Sequence, residues 1–467
     1  MITVNIGRTF LKAYNKKYKK KYSAKEFFEK KYFELFFNHP KYMQWPTNSP
    51  FVQMSKGQKP EFLEVTERKE KLDNLHKKIS EGVKDASIAI GFPASELKEF
   101  ATTSGLITDM NISYEGEDIY LSWLGSGLSI GVSGGFSILF NQPDILLKLY
   151  EGWKIYRKFL NDPTLEKLAG NKITSWNGQW LSYTYSKDYR KNFDYASLDT
   201  LGFFKHDKAI TVIETVKWSK LFFNLSKKFP DETHIGYVFS FGQTNKTLGF
   251  YPFRFQHARK LISFYKVLFG ENAVFQDTKY YETMFGIHIK RACELGAIGI
   301  QSLEPEGLRK FFDPEKMPNI KKPKISQKNG QTQEEFEEVV KHAKQKDYEK
   351  NIIPYRIYKT WLLTMITKNK EEMSDYTREI AKAIYEYRTG DKKGSKKRSN
   401  IVRNQLLSSK TKKGFLEALT EIISEIEANN LSKFNELRDR IHLMSNEDFG
   451  YFVVLLKFDY AYQERNS

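Results

Sequence analysis

The sequence predicts an α+β chain: a mixed α/β N-terminal region with β-hairpins, followed by a C-terminal α-helical bundle. Three observations carry that class. The chain has 467 residues, too many for one compact core, and its 40% hydrophobic and 15% aromatic content supplies material for more than one. β-formers broken by glycines and turn dipeptides crowd the stretch between residues 119 and 254. Beyond residue 352 nearly every segment spaces its apolar residues at helical intervals.

Taken in order, Phe10 to Phe37 alternates aromatics with lysines and reads as a basic helical segment. Three prolines in HPKYMQWPTNSPF break regularity. Glu61 to Glu99 reads as helix again. From Ile119 to Phe140, IYLSWLGSGLSIGVSGGFSILF predicts strands and tight turns. A helix is expected from Pro143 to Asn161, with Ile145, Leu149, Trp153, Tyr156 and Leu160 on one side. SWNGQW predicts a hairpin, because Asn177-Gly178 suits a type I′ turn. A second hairpin is expected from HIGYVFSF and LGFYPFRF, joined by a polar loop from Gly242 to Thr247.

Residues 1–311 are therefore expected as the mixed domain and 312–351 as a linker with one solvated helix, since that stretch is poor in large apolar residues. Residues 352–467 are expected as the bundle, of about five or six helices. Its stripes are Tyr358, Trp361, Leu362 and Met365; Ile380, Ala383, Ile384 and Tyr387; Phe415, Leu419, Ile422, Ile423 and Ile426; Phe434, Leu437, Ile441 and Met444; and Phe449, Phe452, Val453 and Leu456. The last is entered through Ser445-Asn446-Glu447-Asp448, a capping-box pattern.

A net charge of +18 points to a polyanion, with nucleic acid or an anionic membrane surface as the classes. Abundant Lys, Asn, Ile, Phe and Tyr also fit an AT-rich coding bias, which would enrich Glu as well as Lys and so explains the lysines better than their excess. The single cysteine, Cys293, excludes an intrachain disulfide and a clustered-cysteine zinc site. No signal-type core or bilayer-length apolar run is present, so a cytoplasmic protein without a membrane partner is expected.

The glycines Gly125, Gly127, Gly131, Gly134 and Gly135 lack the dinucleotide fingerprint, because Ile130 stands where the third glycine belongs, and they read as a strand pair with turns. The histidines show no metal-binding spacing, and no catalytic or metal-ligating set or cofactor motif is found. Gln243, Asn245 and Lys246 at the second hairpin's tip have the donors, acceptors and charge to meet base edges or phosphates; the plainer reading is a polar turn. Lys392, Lys393, Lys396, Lys397, Arg398, Arg403, Lys410, Lys412 and Lys413 bracket a short helix anchored by Ile401, Leu406 and Leu407, and suit a phosphate backbone; the plainer reading is a solvated face.

NIIPYRIYKTWLL, IAKAIYEYR, SKTKKGFLEALTEII and FGYFVVLLKFDYAY together resemble the C-terminal bundle of the large subunit of type I CRISPR Cascade surveillance complexes, most like subtype I-B. GVSGGFSILFNQPDILLKLYEGWKIYRKFLN followed by GNKITSWNGQWLSYTY is also similar to that family, so the resemblance covers most of the chain. It implies a non-catalytic subunit in antiviral defence. Its N-terminal domain would sit near the 5′ handle of the crRNA, recognise a protospacer-adjacent motif and help unwind target double-stranded DNA. The bundle would lie beside the displaced strand and stabilise the R-loop while a helicase nuclease is recruited. The implied partners are crRNA, target DNA, the Cascade backbone and crRNA-handle subunits, the recruited helicase nuclease, and small subunits formed from the bundle by an internal start. Met317 would leave that bundle whole, whereas Met365 would remove most of its first helix.

On this resemblance Gln243, Asn245 and Lys246 are motif or groove contacts, and the cluster from Lys392 to Lys413 tracks the displaced strand. Lys16, Lys17, Lys19, Lys20 and Lys21 meet crRNA or duplex DNA. Some relatives carry paired cysteines suggesting zinc, from which this chain departs. The alternatives are a stand-alone DNA-binding or restriction-type nuclease with dispersed acids, and an interaction protein whose charge is only compositional.

Overall fold

A computed structural model describes residues 1–46, 49–55, 58–82, 115–240, 246–294, 296–311, 317–366, 370–391, 393–426 and 428–467. It divides into two compact units, Met1–Phe255 with Leu295–Ile298, and Gln256–Glu294 with Gly299–Ser467. The composition change at residue 312 thus falls inside the second unit.

The first unit opens with α1 (Ile2–Tyr18), which buries Ile6, Phe10 and Tyr14 on one face. The basic segment is helical as expected, with one break. Lys19 takes a left-handed conformation that ends α1, and the Asn15 side chain exchanges two hydrogen bonds with the backbone of Tyr22. A Ser23/Glu26 capping box then starts α2 (Ala24–Phe27), which runs through a π-helical turn (Phe28–Phe33) into α3 (Glu34–Phe36). Next come α4 (Val65–Ser80) and α5 (Gly116–Gly127). The part of the expected Glu61–Glu99 helix beyond residue 82 lies outside the described residues.

The strands expected from residue 119 begin later than the sequence suggests. Ile119 to Gly127 belongs to α5, and only β1 (Ile130–Val132) and β2 (Phe136–Phe140) are extended, joined through Gly134 and Gly135 at positive φ. A Cβ on Gly7 of α1 would strike the Leu121 carbonyl, and one on Gly125 the Thr3 carbonyl, so these two helices meet backbone to backbone. α6 (Pro143–Leu160) follows as expected.

SWNGQW is not a hairpin: it lies within α7 (Ile173–Thr184). Trp176 and Trp180 fall on one buried face, and buried Asn177 donates to the carbonyls of Gly127 and Ser129 at 2.8 and 2.9 Å. Gly178 stands against the Gly131 carbonyl, where a Cβ has no room. The dipeptide that suits a type I′ turn here gives one helix a side-chain clamp and a close approach.

After α8 (Tyr195–Thr200), β3 (Phe204–His206) and β4 (Thr211–Ile213) form a two-stranded sheet. α9 (Trp218–Lys228) precedes β5 (Thr233–Ser240) and β6 (Lys246–Arg254), which pair as the second hairpin the sequence predicts. The antiparallel sheet has the order β1-β2-β5-β6, with Leu139 opposite Tyr237 and Tyr237 opposite Phe250. Gly236, Ile138, Phe140 and Phe253 crowd one face, while Ile235 and Phe250 on the other are 63% and 64% exposed.

The second unit begins with α10 (Gln256–Phe269), α11 (Glu271–Met284) and α12 (Ile289–Glu294). α13 (Gln333–Asp347) is the solvated helix expected in the linker, with no buried residue and a Thr332/Glu335 capping box. Its C-terminal end is nevertheless pinned, since Arg465 pairs with Asp347 in a largely buried contact. The bundle comprises α14 (Ile353–Ile366), α15 (Lys370–Thr389), α16 (Ser395–Asn400) continued by a π-helical stretch (Ile401–Leu406), α17 (Lys412–Glu425), α18 (Ala428–Leu443) and α19 (Asn446–Asn466). The predicted stripes supply its core, including Trp361, Ile384, Phe415, Leu437 and Phe452. Ser445 caps α19 by accepting from the Asp448 amide at 3.0 Å. Among the described residues no helix is long and apolar enough to cross a membrane.

Candidate nucleic-acid interface

In the second unit the basic run sits on packed helices. Ile401, Val402, Leu406 and Leu407 are buried, so the flanking cations ride a fixed element. Several of them are engaged inside the fold. Arg403 pairs with Glu464, which also holds Arg388 at 2.6 Å. Lys412 donates to the carbonyls of His442 and Met444 at the end of α18. Arg398 donates to the Lys393 carbonyl at 3.1 Å and to that of Asp391.

Lys397 binds Glu425, which accepts the Tyr387 hydroxyl at 2.9 Å as well; these two donors, Lys397 first, hold the Glu425 carboxyl below its ordinary range. Lys413 faces Glu417 at 3.7 Å with its side chain 87% exposed, too open a pair to tie it down. Lys393, Lys396 and Lys410 are exposed, and Lys392 lies outside the described residues. The part of the run that faces solvent is therefore Lys393, Lys396, Lys397, Lys410 and Lys413, with Lys397 paired to Glu425 as it does so.

In the first unit Lys16 and Lys17 occupy the last turn of α1, where positive charge complements the helix dipole. Lys17 pairs with Glu151 at 2.9 Å and lies 5.6 Å from the Tyr18 ring. Lys16, Lys19, Lys20 and Lys21 are exposed on and just beyond this end. Beside them Tyr14, Tyr18, Tyr22, Phe27 and Tyr150 form one ring cluster, with Lys154 5.2 Å from the Tyr150 ring. Of the hairpin-tip residues, Gln243 and Asn245 lie outside the described residues, and Lys246 is the first residue of β6.

Sequence reasoning missed a second group of cations in this unit. Arg68 of α4 and Arg157 of α6 are 8% and 6% exposed, and Lys41 and His39 stand near them. Burial first, then the positive charge of Arg157, hold His39 down from its ordinary 6.5 to about 4. These residues are scattered from position 39 to 157, and no local pattern announces them.

Among the described residues no group of three or more His, Cys, Asp or Glu side chains is arranged to hold a metal ion. Comparison with family models, with curated proteins and with solved structures finds no match in any of the three.

Proposed function

We propose that this chain is the non-catalytic large subunit of a CRISPR RNA-guided Cascade complex, which recognises the protospacer-adjacent motif, helps unwind the target and stabilises the R-loop for a recruited helicase nuclease. The observation that carries the reading is the exposed lysine set of the second unit, borne on helices whose buried anchors hold it in place. A fixed row of cations suits a phosphate backbone and reads no bases. The resemblance of the bundle segments to that family narrows the class from nucleic-acid binding to guide-directed DNA surveillance, in which pairing supplies sequence specificity and protein contacts supply charge.

Isolation of the tagged chain from its native cells tests it. A ladder of partner subunits with a guide-length RNA is expected. Multiple-turnover cleavage of duplex DNA by the purified chain with Mg²⁺ would overturn the proposal in favour of a nuclease.

A further inference from the structure

The four-stranded sheet of the first unit leaves half of one face open. Opposite residues of an antiparallel pair share a face, so Thr233 with Arg254, Ile235 with Pro252 and Tyr237 with Phe250 stand together in successive rows. Ile235 and Phe250 are 63% and 64% exposed, Thr233 and Arg254 are exposed as well, and Tyr237 and Pro252 are half-buried. The Tyr237 and Phe250 ring centroids lie 5.2 Å apart. Toward β2 the same face closes, because Leu139 and Phe239 are buried.

An apolar and aromatic patch left in solvent marks a binding surface, and the charges beside it indicate for what. None of the four strands contains an Asp or Glu residue. Arg254 has no ion pair among the described residues. Glu232, just before β5, is turned away: it reaches His234 at 3.1 Å, whose ring lies against Phe229 and Phe255 on the covered face. Open rings beside an unpaired cation, with no acid among them, suit bases joined by phosphates. The hydroxyls favour RNA, since the exposed Tyr237 hydroxyl and Thr247 Oγ1 stand 3.3 Å apart and each can donate to or accept from a ribose 2′-hydroxyl.

We propose that the open β5–β6 face binds single-stranded RNA. One base stacks on Phe250 and Tyr237, the next lies over Ile235 and Pro252 about 7 Å along the strands, and Arg254 meets the backbone phosphate. The proposal rests on the guide-RNA reading only for the source of the strand.

Equilibrium binding of octauridylate and octadeoxyuridylate to the purified full chain, across a salt series, tests it. Wild type is expected to bind the RNA more tightly than the DNA. Phe250→Leu keeps apolar bulk and loses the ring, so it is expected to weaken RNA binding about 10-fold with an unchanged salt slope. Arg254→Gln is expected to lower the slope of log affinity against log salt by about 0.7. Tyr237→Phe is expected to keep the stacking and to narrow the preference for RNA.

If Phe250→Leu does not fold, Ile235→Glu at the exposed neighbour replaces it, with at least the same loss expected. Equal affinity of wild type and variant for octauridylate overturns the proposal, and so does equal binding of RNA and DNA by wild type. A partner subunit lost from the Phe250→Leu chain in native cells, with RNA affinity unchanged, would make the face a protein interface instead. Failure of the wider reading looks different: no guide-length RNA accompanies the chain from native cells, yet octauridylate still binds through Phe250.

Discussion

At the scale of single residues, the most constrained group is the Lys359–Asp459 pair inside the bundle. The ammonium and carboxylate are 2.6 Å apart with side chains 2% and 1% exposed, and Asp459 also accepts from the Tyr355 and Thr377 hydroxyls at 3.0 and 2.7 Å. Removing one partner strands the other charge in an apolar surrounding. Asp459→Asn is therefore expected to lower unfolding free energy by about 3–5 kcal/mol in urea titration, and Lys359→Met with Asp459→Leu to cost less than that single change. His39 gives a pH signature. Its unfolded form protonates near 6.5 and its folded form only near 4, so stability is flat above 6.5 and falls as pH drops from 6.5 toward 4. Thermal denaturation at pH 7 and pH 4.5 should show this fall, and His39→Gln should reduce it.

At the scale of elements, helix pairing in the first unit depends on glycine. Gly125→Ala places a methyl group against the Thr3 carbonyl, so α1 and α5 must separate. A loss of about 1–3 kcal/mol is expected, measured by denaturant unfolding. The same element shows where sequence reasoning fails. Gly125 and Gly127 look like turn residues because glycine interrupts a β-rich pattern, but their purpose is contact across helices, with Tyr32 and Trp153 close over Gly127. Asn177-Gly178 misleads for the same reason, since tolerance of positive φ is visible in sequence and the neighbour that fills the missing side chain's space is not. The bundle was legible because one apolar stripe per helix suffices to place it. Of the candidate interface, the lysine run was legible as charge. Which lysines stay free was not, because Glu464 lies 61 positions from Arg403 and Met444 lies 32 from Lys412. The buried Arg68 and Arg157 beside His39 are still less visible, being joined only by folding.

At the scale of the whole molecule, the net charge of +18 bears on how any nucleic acid is held. If Lys393, Lys396 and Lys410 each meet a phosphate of a single strand, changing all three to Glu should reduce the slope of log affinity against log salt by about 2, at about 0.7 per contact. Equal slopes for variant and wild type would assign the run to solvent. The sheet order carries a separate consequence for how the chain is made. β2 ends at Phe140, yet its neighbour β5 starts at Thr233, and Phe253 of the edge strand β6 is bridged to Ile298. At about 5–20 residues per second, a ribosome needs about 5–20 s to deliver the partner strand. During that interval β2 presents an open edge, and a chaperone that shields emerging strands would have its longest opportunity there.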